Sequence, residues 1–119
     1  MNIPDQSFDS SHIEGYHAHI YYGDQNQRQV AEGIRDAIET RFDVVLGRWR
    51  DKPVGPHPDW SCQLTIPTAM MGEVMGWLAL NRKALVLFIH PLTGNALQEH
   101  RDAAIWMGKV RPLKLDQFL

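Results

Sequence analysis

The sequence predicts an α+β fold, a single antiparallel sheet of four strands with its helices packed on one face. Three observations predict it. Residues 16–22 and 60–66 alternate in polarity with period two, and 84–90 is a short apolar run, so all three read as strands. Between them, apolar residues recur at three- and four-residue spacing, the mark of amphipathic helices. The resulting order, β-α-β-β-α-β-α, gives two right-handed β-α-β crossovers joined by a central hairpin. That is the split βαβ, or ferredoxin-like, sandwich with an extra C-terminal helix. Its strands lie in the spatial order 4-1-3-2.

Residues 1–14, MNIPDQSFDSSHIE, form a polar arm without periodicity, and 15–119 form the single domain. Within YHAHIYY (16–22), Ala18, Ile20 and Tyr22 share one face, and His17, His19 and Tyr21 share the other. Asp24 and Gln27 make a capping box. Val30, Ile34, Ile38 and Phe42 then mark the buried stripe of a helix over 25–41, and 43–49 reads as the second strand. The segment RDKPVGPHPD is a loop by its prolines and glycine. Trp60, Cys62, Leu64 and Ile66 alternate with Ser61, Gln63 and Thr65. Thr68 caps a second helix with a stripe of Met70, Met71, Val74, Met75, Trp77 and Leu78, and Asn81 is its left-handed stop. Strand 84–90 ends at Pro91. Asn95 and Gln98 cap a third helix that runs to Met107, with Gly108 after it, and the tail 109–119 lies along the body. Trp60, Trp77 and Trp106 read as core.

The chain has 119 residues, 44% of them hydrophobic, enough to bury a core without disulfides or a structural metal. Lys and Arg number 12 against 14 Asp and Glu, a net charge of −2 that argues against nucleic acid as a partner. The single cysteine, Cys62, cannot form an intrachain bridge, and it reads as a small buried hydrophobe rather than a nucleophile. No apolar run nears the roughly 20 residues of a membrane span. The expectation is a cytoplasmic protein that engages no membrane.

Six histidines in so short a chain are the unusual feature. A lone histidine on a strand is more often a surface residue than a ligand. His-x-His is better evidence, because residues i and i+2 point to the same face about 7 Å apart. The predicted topology puts strand one between strands three and four, antiparallel to both. His90, at the end of strand four, then falls beside His17, and Gln63 falls near His19. The side away from the helices carries His17, His19, Tyr21, Ser61, Gln63 and Thr65, which makes it either a solvated face or the floor of a pocket. His17, His19 and His90 are the candidate metal set. His57 sits in a proline-stiffened loop that starts at the far end of strand one and must fold back to reach them. His100 reads as a structural group or one that supports the ligands, and His12 as chemically idle. Val86 and Phe88 are apolar on the side away from the helices. Burying them takes the tail, the third helix or a second subunit, and a homodimer is the expectation.

YHAHIYY, GPHP in a loop, LNR before a strand ending in HP-x-TG, and EH followed by A-x-W-M-G occur in this order over residues 15–108. Together they resemble the DOPA 4,5-dioxygenase family. HPLTGN departs slightly from that family's HPNTG form. The resemblance implies a mononuclear non-haem Fe(II) enzyme that opens the ring of a DOPA-like catechol with O2 in the extradiol manner, although another divalent metal could serve. It places the family's shared histidines on His17, His19, His57, His90 and His100, and matches Asn81 and Arg82 to the LNR segment. His57 is the expected catalytic acid–base. Tyr21, Gln63, Asn81, Arg82 and His100 are expected to bind substrate or support the ligands. The usual iron pattern adds a carboxylate to two histidines. Asp59, Glu99 and Asp102 are nearest in sequence, and an all-histidine set is favoured. Two other readings stay open: a metal-binding dimeric module, and a metal-dependent lyase or isomerase, neither with ring-cleaving activity.

Overall fold

The computed structural model describes residues 7–119, and the first six residues of the polar arm lie outside them. The elements follow in the order β1 (Tyr16–Tyr22), α1 (Gln25–Arg41), β2 (Val45–Arg50), β3 (Trp60–Ile66), α2 (Met71–Asn81, led by a 3-10 turn at Thr68–Met70), β4 (Leu87–Pro91) and β5 (Ile105–Met107). The sheet order is β2-β3-β1-β4-β5, the predicted arrangement extended by one strand. Among the described residues no helix is long and apolar enough to cross a membrane.

β1 is central because both its edges are paired and its helix-side residues are fully buried. Ala18, Ile20 and Tyr22 pack with Ile34 and Ile38 of α1 and with Val74 and Leu78 of α2. Asp24 caps α1 as its position foretold. Its Oδ1 accepts from Gln27 N at 2.8 Å, and Gln27 Oε1 reaches back to Gly23 N. Val30 is on the exposed flank of the helix, where Ala31 takes the buried place. Cys62 is buried under the helices, which pushes its thiol up to about 12 and leaves it no nucleophile.

The predicted third helix is the main correction. Asn95 does cap Gln98, its Oδ1 accepting from Gln98 N at 3.0 Å. The segment then closes as a π-helical turn at Gln98–Asp102 and stops. Ile105–Met107 leave it to form β5, pairing Leu87 with Met107 and Phe88 with Trp106. An apolar β4 has unpaired backbone groups along its outer edge, and a fifth strand satisfies them where a helix would not. Gly108 ends that strand rather than a helix. α2 also stops differently: the left-handed residues are Lys83 and Ala84, at φ 53° and 65°, rather than Asn81. That turn delays β4 to Leu87.

Phe88 is fully buried by groups of this same chain. Its ring stacks on Trp106 at 4.7 Å and lies 5.6 Å from the ring of His19. Trp106 thus covers the Phe88 part of the apolar surface on which a second subunit was expected, and Val86 beside it stays half-buried. Trp106 belongs to this side of the sheet, not to the core beneath the helices.

Candidate metal centre

The register of β1 assembles the histidines. His17 pairs with His90 across β4 and with Thr65 across β3, and His19 pairs with Phe88 and Gln63. All point away from the helices. His17, His19 and His90 each offer one ring nitrogen, and the three nitrogens lie within 4.8 Å of one another. His19 and His90 are 4% and 2% exposed, so they sit at the floor of the site, with the half-buried His17 at its rim.

The hydrogen bonds fix which nitrogen is free. His90 Nδ1 lies 3.0 Å from the carbonyl oxygen of Pro91. A carbonyl only accepts, so Nδ1 carries the proton and Nε2 is bare. That bare nitrogen faces His19 Nε2 at 3.3 Å. Pinning one nitrogen to a carbonyl so that the other presents its lone pair is how proteins prepare a histidine for a metal. Burial, reinforced by the neighbouring imidazoles, lowers His19 well below the ordinary histidine value of 6.5. The same causes bring His57 to about 4, and burial does so for His90 despite its bond to Pro91. Burial lowers His17 as well, so all four are neutral at pH 7, the form that ligates. Three convergent neutral imidazoles fit a divalent ion of the Fe(II) class, which accepts nitrogen donors and keeps further positions open.

The nearby carboxylates stay out of this set. Glu99 is buried behind His90, with Oε1 3.9 Å from Nδ1, the nitrogen turned away from the cluster. Its Oε2 accepts from Thr93 N and Gly94 N at 2.6 and 2.9 Å. Asp59 is held by Arg111, and Asp102 by Arg101 at the surface. Glu99 thus braces His90 and the turn that follows it. Its sequence signal was the position one residue before His100, with no spacing to mark the role.

His57 does reach the cluster. Its loop folds back over the sheet and brings its ring within 4.2 Å of the ring of His19. Nδ1 is 2.8 Å from the hydroxyl of Tyr21. Three contacts hold the loop. His57 N donates to Val54 O, Lys114 N donates to Pro56 O at 2.9 Å, and Arg111 grips Asp59 with two bonds at 2.8 and 3.0 Å. The tail thus lies along the body and clamps this loop. Burial, with Asp59 nearby, raises the Tyr21 phenol far above its usual range, so it stays protonated.

The remaining expected residues divide. Gln63 Nε2 approaches His17 Nε2 at 3.4 Å. His100, in the π-helical turn, packs its ring 4.4 Å from that of His90, with Phe118 stacked behind it at 4.5 Å. Asn81 and Arg82 are not brought to the histidine face. Asn81 donates to Trp77 O within α2, and Arg82 donates to Leu85 O while covering Gly108. They brace the α2–β4 turn. Beside His19 and His57 opens a cleft of about 370 Å3, further lined by Ser61, Gln63, Arg48 and Arg50. The two arginines were not singled out in the sequence.

Depressed histidine values carry a pH prediction for the metal-free protein. His57 and His90 are more easily protonated when unfolded, near 6.5, than when folded, near 4. Their contribution to stability is whole above pH 6.5 and is lost as pH falls towards 4. The melting temperature should therefore drop steadily between pH 7 and pH 4.5. A flat profile over that window would contradict the burial of neutral imidazoles.

A profile of the Dopa 4,5-dioxygenase family matches residues 16–117. The DOPA 4,5-dioxygenase of Amanita muscaria is 35% identical over 113 residues, which cover 88% of this chain and 50% of that protein. An uncharacterized 21.2 kDa protein of Botryotinia fuckeliana is 32% identical over 121 residues, 92% of this chain and 66% of its own. The chain thus spans half to two thirds of the curated relatives it matches. The crystal structure of a candidate dioxygenase from Nostoc punctiforme matches with a TM-score of 0.87 and 39% identity, covering 90% of this chain and 92% of that one.

Proposed function

The chain belongs to the Dopa 4,5-dioxygenase family, and from that premise we propose that it cleaves the ring of a catechol with O2 in the extradiol manner, at one Fe(II) held by His17, His19 and His90. The observation that carries the reading is the convergence of those three ligand nitrogens beside an open cleft. When bound, Fe(II) would bring catecholate and O2 into one coordination sphere and so relieve the spin mismatch between triplet O2 and a closed-shell ring.

The residues of the chain do the rest. Three neutral ligands add no negative charge, which favours a catecholate as the incoming partner. His57 takes the proton that the catechol releases. With Nδ1–H donated to the Tyr21 oxygen, Nε2 is bare and able to accept. A pKa near 4 keeps that imidazole neutral until a negative ligand arrives, and the ligand's charge then raises it. The reversed bond, with Tyr21 donating to Nδ1, suits the same ring for returning the proton from Nε2. Phe88 and Trp106 form a stacked apolar wall behind His19 and limit the entry of water.

Anaerobic loading with Fe(II), followed by a catechol and then air, tests the proposal. A yellow ring-opened semialdehyde and equimolar O2 uptake are expected. Metal binding without ring opening would overturn the reading and leave a binding module or a non-oxidative enzyme.

A further inference from the structure

β2 pairs with β3 in a broken register: Leu46 faces Leu64, and then Trp49 faces Cys62. Gly47 and Arg48 together oppose the single residue Gln63, which is a β-bulge. Strict alternation from Leu46 would send Arg48 to the helix side. The extra residue resets the phase and turns Arg48 to the histidine side, where it lines the cleft beside Arg50. Gly47 is the residue this requires, because a Cβ there would lie 2.9 Å from the Gln63 carbonyl oxygen.

Arg48 and Arg50 thus line the cleft with His19 and His57, and among the described residues no carboxylate lines it. The neighbouring acids are engaged elsewhere. Asp51, next to Arg50, accepts from the Tyr22 hydroxyl at 2.8 Å and from Arg28 at 2.9 Å. Asp59 is held by Arg111. Among the described residues neither Arg48 nor Arg50 makes an ion pair. In a chain of net charge −2, this local positive field recruits an anion. The guanidinium fork matches the two oxygens of a carboxylate.

We infer that Arg48 and Arg50 are the residues that hold a carboxylate on the substrate's side chain, with its ring towards the histidines. This rests on the reading of the cleft as the place where an aromatic substrate binds. β2 then sets specificity, and β1 and β4 supply the metal ligands.

The test is a binding titration without O2, followed by tryptophan fluorescence, with and without Fe(II). The probes are 3,4-dihydroxyphenylacetate, phenylacetate, neutral 4-methylcatechol and inorganic phosphate. The dihydroxy acid should bind roughly 10- to 100-fold more tightly than 4-methylcatechol, the span of a charge-assisted bidentate contact, and added NaCl should erode that preference. Arg48→Gln with Arg50→Gln should abolish it. Both arginines are exposed, so the variant should fold, and the salt series on the unmodified chain stands without it. Equal affinities for acid and neutral catechol, or a preference that survives the double substitution, would overturn the inference. So would phosphate displacing the acids at comparable concentration, which would mark a free-anion site. Ring opening of 4-methylcatechol without arginine-dependent acid binding would sink this inference alone. Arginine-dependent binding of phenylacetate without any ring opening would sink the proposed reaction alone.

Discussion

His17→Ala combined with His19→Ala is expected to remove bound Fe(II) completely and reduce ring cleavage to background. Two of the three convergent nitrogens go, and His90 alone cannot hold a labile divalent ion. The fold should survive, because neither ring belongs to the core beneath the helices. Some stability will be lost, since the His19 ring fills space against His57 and Phe88 and its removal leaves a cavity. Metal analysis after dialysis, with circular dichroism on the same sample, checks both halves. Iron at the unmodified level in a folded variant would show that the ligands lie elsewhere.

His57→Ala is expected to separate binding from turnover. The ring of His57 sits beside His19 but is not among the three convergent nitrogens, so the variant should keep its iron and still bind catechol. Turnover should fall by roughly two to four orders of magnitude, the usual span for a positioned acid–base group. Loss of iron in parallel with activity would make His57 a ligand instead. Full iron with full activity would remove it from the chemistry. Tyr21→Phe offers a graded comparison, because it leaves the imidazole in place and takes away only its partner at 2.8 Å.

Where periodicity was strong, residue pattern and structure agree closely. β1, α1 and β3 occupy the predicted residues, since alternation and an N-terminal cap both act locally. The topology then brought His90 beside His17, because antiparallel register follows from strand order once the strands are known. What escaped the sequence depends on distant parts of the chain. Asn95 caps a helical start in either case, yet the demand of β4 for an edge partner draws Ile105–Met107 into the sheet. The bulge at Gly47 leaves no periodic trace, and the predicted strand stopped at Trp49, so nothing set Arg48 and Arg50 on one face. As site residues Asn81 and Arg82 stood out only by resemblance, and their hydrogen bonds tie them to the turn after α2.

The clamp of the tail on the His57 loop has a kinetic consequence. Asp59 and Arg111 are 52 residues apart. During synthesis at roughly 5–20 residues per second, several seconds pass between the appearance of the loop and that of the arginine that fixes it. The His57 loop is thus made well before the tail residues that hold it, Arg111 and Lys114. Until that tail is made the loop cannot be fixed over the sheet. Release of that short tail segment would reopen the loop without breaking a strand of the sheet, which makes the clamp a route for local opening.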